Sequence, residues 1–188
     1  MDTRDALLTA ALKVLEDEGK AQFSTRAVCA LVNVTAPTLY HHYGSADGLL
    51  SAAMTEAFSQ FLNSKIAAVK STEPVTALRE GWDDYVRFAA ARPRLYAAML
   101  SRVLQGAQIP AAQQGFALLT QRIAAIEAQG RLALTVAAAA DVMWASANAA
   151  SQLYVTAQFR NTLPPSTDVL ENIRENAIAT ILTPKSKG

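Results

Sequence analysis

NVTAPTLYHHYGSADG, residues 33–48, decides how the chain is read. It opens on Asn33 and the hydroxyl of Thr35, crowds two tyrosines and two histidines into positions 40–43, and closes on Gly44 and Ser45. That is too polar for a buried helix and too aromatic for an ordinary surface helix. The flanking residues supply a frame. Ser24 can cap a short helix that turns Val28, Cys29 and Leu31 inward, and Thr35 can cap another that ends near Tyr43. Between them the backbone needs one left-handed residue, a conformation that Asn33 tolerates better than most side chains. Pro37, two places after the Thr35 cap, breaks no helical hydrogen bond.

Two short helices joined by a tight turn have the proportions of a helix-turn-helix. In that arrangement Leu39 points inward against Val28 and Leu31. Thr35, Ala36, Thr38, Tyr40, His41 and Tyr43 then point outward. Hydroxyls and phenols can donate to phosphates, and a methyl such as that of Ala36 can pack on a thymine. The adjacent His41 and His42 diverge by about 100° on a helix and cannot close on one ion, so no metal site is expected.

Other chemistry is poorly supplied. Cys29 is the single cysteine, which excludes a disulfide framework or a cysteine-built zinc site within the chain. It reads as a small buried thiol. Both histidines fall on the second short helix, leaving no imidazole elsewhere for a Ser-His-Asp arrangement. Glu80, Asp83, Asp84 and Asp141 read mostly as solvated helix faces. The chain is therefore expected to be no enzyme and to carry no cofactor.

Outward from the quoted stretch, 188 residues rich in alanine and leucine and poor in glycine and proline favour an all-α protein. Leu7, Leu8, Ala11, Leu12 and Leu15 make one face of a first helix that stops at Gly19. After the two short helices, Ser45 caps a long fourth helix from Ala46 to about Ser71. Pro74, Pro93 and Pro110 open or bound further helices, an alanine-rich helix runs from about Thr135 to Phe159, and Ser166 or Thr167 opens a last one. About nine helices result. They are expected to form an N-terminal three-helix unit over residues 1–46 and a larger helical bundle over residues 47–188.

Charge gives little help. The net charge is +1, and residues 1–46 hold Arg4, Lys13, Lys20 and Arg26 against Asp2, Asp5, Glu16, Asp17 and Glu18, so the first unit is not basic. The N-terminal MDTRDALLTAALKVLEDEG has early acids where a secretion signal has a basic patch and an apolar run. The longest uncharged stretch, 142–159, is interrupted by Ser146, Asn148, Ser151 and Gln152 and is a poor membrane span. A soluble, cytoplasmic protein is expected.

FSTRAVCALVNVTAPTLYHHYGSADGLL, with the EDEG before it, resembles the N-terminal domain of the TetR (tetracycline-repressor-like) family of bacterial regulators, over roughly residues 4–52. YVRFAAARPRLYAAML is similar to a ligand-domain segment of one branch of that family. The resemblance implies that 24–32 is a supporting helix and 35–43 a recognition helix. Thr25 and Arg26 would touch phosphate; Thr35, Thr38, Tyr40, His41 and Tyr43 would contact DNA, with Ala36 and Pro37 at the base edges. The family often has a phosphate-gripping lysine where this chain has Ala46, and a turn glycine where it has Asn33.

The implied function is a dimeric, ligand-responsive DNA-binding regulator. It would be a repressor released from a palindromic operator by a small, largely hydrophobic effector. Its partners would be double-stranded DNA, the effector and a second copy, with no membrane. Two other readings stand beside it: a constitutive or protein-controlled DNA-binding regulator without an inducer, and an all-α enzyme acting on a hydrophobic substrate.

In the larger domain, Trp82, Tyr85, Tyr96, Met99, Phe116, Met143 and Trp144 fall on stripes expected to face inward. Large aromatics among many alanines leave room for a cavity, which the resemblance makes an effector pocket. Asp141, one turn before Trp144, is placed to meet a cationic ligand. Ala138, Ala145, Ala149 and Thr156 give the eighth helix a small-residue face, and Leu170, Ile173, Ala177 and Ile181 give the ninth a heptad-like seam. Two copies joined there would hold their recognition helices about 34–36 Å apart, as successive major grooves require. The long fourth helix is expected to tilt when ligand binds.

Overall fold

Caps and prolines divide the chain much as their positions imply, and the computed structural model describes residues 2–157 and 160–184. Among these residues nine α-helices form: α1 (Thr3–Asp17), α2 (Thr25–Val32), α3 (Ala36–Tyr43), α4 (Ala46–Ala68), α5 (Pro74–Ala91), α6 (Pro93–Leu104), α7 (Pro110–Glu127), α8 (Val136–Thr156) and α9 (Thr167–Ile181). The class is all-α, as expected. The hydroxyls of Ser24, Thr135 and Ser166 each accept an N–H three residues on, at 3.2, 3.2 and 3.4 Å, satisfying donors that a helix start leaves over. Prolines open α5, α6 and α7, where their missing N–H is not needed.

Two ends differ from expectation. Helix α4 stops at Ala68 rather than near Ser71, because the Glu80 carboxylate accepts the N–H groups of Lys70 and Ser71 at 2.8 and 3.0 Å. Helix α8 is described to Thr156, and the expected end at Phe159 lies outside the described residues. Among the described residues no helix is long and apolar enough to cross a membrane.

The helices group into two compact units, Met1–Phe61 with Arg92–Ala111, and Leu62–Ala91 with Ala112–Gly188. In the first, α1 packs against α2, α3 and α6. Its core buries Leu7, Val14 and Leu15 of α1, Val28 of α2, Leu39 of α3, Leu49 of α4 and Leu95 of α6, none more than 1% exposed. Helix α6 also ties down the end of α1. The Arg94 guanidinium donates to the backbone carbonyl of Asp17, and Arg92 lies 3.5 Å from Glu16 while donating to Gln60 Oε1 at 2.8 Å. Cations at a helix C-terminus are favoured by the carbonyl dipoles exposed there. These arginines lie far from residue 46 in sequence, so a charge count over 1–46 misses them.

In the second unit α5, α8 and α9 pack on one another. The core combines Val75, Leu78, Trp82 and Val86 of α5 with Ile123 and Ile126 of α7. Ala139, Ala140, Met143, Ala147 and Ala150 of α8 and Ala177, Ile178 and Ile181 of α9 complete it. Alanines on α8 let its neighbours approach closely. This corrects one expectation about α9. Its heptad-like residues do not form a free seam, since Ile181 is 0% and Ala177 7% exposed within the single chain, and Leu170 and Ile173 pack on the same core. Apolar spacing on a helix says that one face is covered, but not whether a neighbour in the same chain or a second copy covers it.

Two arginine–carboxylate pairs join α5 to α9. Arg79 grips both oxygens of Glu175, at 2.9 and 2.8 Å, and Arg174 reaches Asp83 at 2.6 Å and Glu175 at 2.9 Å. The Arg79 hydrogen bonds hold the Glu175 carboxyl down to about 2. A depressed folded-state value means that this stabilisation is complete above the ordinary carboxylate range and is lost as pH falls toward about 2. Glu175→Gln is therefore expected to lower the melting temperature at pH 7. It should also flatten the loss of stability between about pH 4.5 and pH 2; thermal melts of both proteins across that window check this.

Candidate nucleic-acid interface

The turn between α2 and α3 is built on Asn33, whose φ and ψ of 52° and 47° are left-handed. Its N–H and that of Val34 both reach back to the Cys29 carbonyl, the latter at 3.2 Å, so the end of α2 is closed by backbone alone. Leu39 and Val28 are both fully buried, which fixes the roll of α3 against α2. Leu31, expected inward with them, is 52% exposed. It falls about 60° round the helix from Val28 and about 160° from Cys29, outside the arc the two buried residues define. Burial pushes the Cys29 thiol up, so it stays protonated.

That roll leaves one face of α3 in solvent. Thr35, Pro37, Tyr40 and His41 are exposed, and Ala36 and Thr38 are half-buried beside them. Thr35 stands at the N-cap position, but its hydroxyl lies 3.1 Å from that of Thr38 instead of accepting a backbone N–H. Arg26 is exposed and Thr25 half-buried at the start of α2. The His41 and His42 rings meet edge to face, 5.3 Å apart.

Tyr43 differs from the rest. Its phenol donates to the Arg4 carbonyl of α1 at 2.7 Å, and the Arg4 guanidinium sits 5.5 Å from the ring centre. Burial pushes this phenol up, which keeps it a donor. The proton expected to serve phosphate is donated within the chain instead, tying the end of α3 to the start of α1. Two of the acids that weighed against a DNA-binding head are also partnered: Asp17 pairs with Lys13 at 2.7 Å, and Glu16 faces Arg92.

Two helices set by a left-handed turn, the second with a buried apolar side and an exposed hydroxyl and aromatic side, define a helix-turn-helix, the arrangement by which many proteins present a helix to DNA. Residues 7–53 match the family model of bacterial regulatory proteins, tetR family. Over those residues the chain is similar to the N-terminal domain of that family of regulators.

Solved structures share the fold along nearly the whole chain. A protein of unknown function from Rhodococcus sp. RHA1 is 19% identical with a TM-score of 0.80, the match covering 97% of each chain. A TetR family transcription regulator from Marinobacter aquaeolei VT8 is 16% identical with a TM-score of 0.74, over 96% of each chain. A TetR transcription regulator from Haloarcula marismortui is 18% identical with a TM-score of 0.74, over 96% of this chain and 98% of that one. No curated protein matches.

The residues expected to line an effector pocket are divided between the two compact units. Trp82 is buried and donates from Nε1 to Ser146 Oγ at 2.9 Å, and half-buried Tyr85 donates to Asn148 Oδ1 at 3.1 Å, so both join α5 to α8. Tyr96 and Met99 are buried, but in the other compact unit. Phe116 and Trp144, expected inward, are 40% and 41% exposed, and Asp141 is exposed as well. An alanine-rich helix has weak apolar contrast, so the inward side of α8 follows Ala139, Met143 and Ala147 rather than its single tryptophan.

A different set of groups was missed. Asp84, read as solvated, is 6% exposed and accepts from Ser64 Oγ at 2.6 Å. Mostly buried Lys65 donates to the Gly81 carbonyl at 3.2 Å and lies 4.8 Å from the Tyr85 ring centre. Half-buried Arg122 donates to the Lys65 carbonyl at 3.2 Å. An open cleft of about 310 Å³ lies in the same unit, lined by Leu62 and Ile66 of α4 and Gln114, Ala117, Leu118 and Gln121 of α7.

The contrast between Tyr40 and Tyr43 is testable. Tyr40→Ala removes an exposed ring and is expected to weaken duplex binding about tenfold with the melting temperature unchanged. Tyr43→Phe removes the half-buried hydroxyl that anchors α3 to α1 and is expected to cost about 1 kcal/mol of stability. Fluorescence anisotropy on labelled duplex, paired with thermal melts, separates the two effects.

Proposed function

We propose that the protein is a dimeric, ligand-responsive repressor that leaves a palindromic operator when a small molecule binds its larger domain. Residues 1–46 would read DNA, and residues 47–188 would hold the effector and the dimer contact. The observation that carries this reading is the exposed face of α3, set by the Asn33 turn and the buried Leu39. Thr35, Pro37, Tyr40 and His41 would meet the major groove, with Ala36 and Thr38 beside them. Thr25 and Arg26 would hold phosphates at the start of α2, and Tyr43 would act mainly by anchoring α3. Few cations serve the backbone, so non-specific binding would be weak and its salt dependence shallow.

The dimer contact is assigned to α8. Its exposed residues Ala138, Asp141, Trp144, Ala145 and Ala149 recur at helical spacing, a small-residue face with one large aromatic among them. Paired in two copies, this face would bury the tryptophan, a residue type enriched in the centres of interfaces. Thr156 and the outer surface of α9 would lie at its edge. The effector site is assigned to the second unit, where the α4–α7 cleft and the neighbouring polar groups provide an opening and hydrogen-bonding partners. Helix α4 contributes residues 46–61 to one compact unit and 62–68 to the other, which suits it to carry a tilt from effector to DNA. A coupling of about 1–3 kcal/mol would change operator affinity roughly 5- to 150-fold.

Trp144→Asp tests the assembly without touching the core. Sedimentation is expected to give a monomer with an unchanged melting temperature, and binding to a two-half-site duplex should fall to that of a single half-site. A variant that stays dimeric contradicts the α8 assignment.

A further inference from the structure

The first turn of α1 carries a cation where helix electrostatics argue against one. Arg4 is exposed there, and the amide dipoles at a helix start favour anions over cations. Asp2 and Asp5 follow that rule; Arg4 does not. Nor does an ion pair offset the cost, since among the described residues no carboxylate pairs with it. By contrast Lys13, Arg92 and Arg94 of the same compact unit each meet Glu16 or Asp17. What Arg4 has is Tyr43. The Tyr43 phenol donates to the Arg4 carbonyl at 2.7 Å, and the Arg4 guanidinium stands 5.5 Å from the centre of the same ring. Main chain and side-chain head are thus fixed on one aromatic of α3, which removes rotamer freedom that an exposed arginine otherwise keeps. A guanidinium over a ring still has its N–H donors around its rim, and among the described residues nothing accepts from them.

The ring that holds Arg4 borders the face of α3 left in solvent. Tyr43 falls about 60° round the helix from Tyr40 and about 20° from Ala36, in the last turn. In a three-helix head, the far end of the recognition helix runs out of the groove against the sugar–phosphate backbone. We propose that Arg4 is a phosphate-binding residue, held on Tyr43 beside the last turn of α3 so that its guanidinium clamps the DNA strand at the groove edge. This rests on the proposed reading of DNA by α3, to which it adds a contact that carries no base information but fixes the helix's register on the duplex. A guanidinium fork makes charge-assisted, two-point hydrogen bonds to phosphate, and the ring beneath pre-orients it. Tyr43 is then a positioning residue for this contact as well as for α3. Asp2 and Asp5 are close enough to act on the Tyr43 phenol, so Arg4 works as a single cation between acids rather than as part of a basic patch. One phosphate is the expected count.

Salt titrations of duplex binding by the full-length protein test the assignment. Fluorescence anisotropy is read on a duplex selected from a random pool and on a shuffled duplex, between about 50 and 200 mM salt. Arg4→Gln is expected to weaken both duplexes by the same factor, about fivefold at the lower salt. It should also lower the slope of log K against log salt by about 0.9, the share of one phosphate. Arg4→Lys should keep the wild-type slope, because charge sets counterion release, and lose about twofold in affinity for want of the fork. Thermal melts of both variants should match wild type, as those of a merely structural arginine would not. An unchanged slope in Arg4→Gln, a loss confined to the selected duplex, or a loss that tracks a lower melting temperature overturns the proposal. A wild-type protein that prefers the selected duplex while Arg4→Gln keeps the full slope sinks the Arg4 assignment alone. A wild-type protein that binds no duplex at any salt sinks the reading by α3, and this contact with it.

Discussion

The head of the molecule depends on one backbone constraint and one packing contact acting together. Asn33 in the left-handed region turns the chain sharply enough to bring α3 across α2, and Leu39 against the Val28 side of α2 fixes which face of α3 stays out. Neither suffices alone. Without the turn the second helix would run on from the first; without the buried leucine its hydroxyls and rings would have no set direction. The bond from Tyr43 to the Arg4 carbonyl and the α6 arginines on the end of α1 then hold the pair against the rest of the unit. Stability and orientation come from the same contacts, as recognition by a rigid helix requires.

How much of this the amino-acid order discloses varies by region, for physical reasons. Ser24, Asn33, Thr35 and Pro37 are local devices, and their effects on the backbone depend on neighbours within four residues. That is why the helix-turn-helix and its family resemblance were legible. Helix starts at Pro74, Pro93 and Pro110 were legible on the same grounds. Leu31 was misplaced because an eight-residue helix has too few turns to establish an apolar arc from spacing.

In the larger domain such local devices are fewer. Helix α8 is so rich in alanine that both of its sides look apolar, and the tryptophan expected inside lies on the surface. The α9 seam was visible, but spacing does not identify what covers it, and it proved to be the chain's own core. Asp84 and Lys65 are charged residues nineteen positions apart, on helices that resemble solvated ones. Their burial follows from tertiary packing, with Gly81 as the one local hint, a helix-weakening residue kept where another side chain must pass.

Selecting bound fragments from a random duplex pool at low ionic strength asks whether the exposed side of α3 discriminates among sequences at all. The account predicts a two-fold symmetric consensus whose half-sites lie about 34–36 Å apart, one turn of duplex. Fragments recovered without enrichment for any sequence would contradict it.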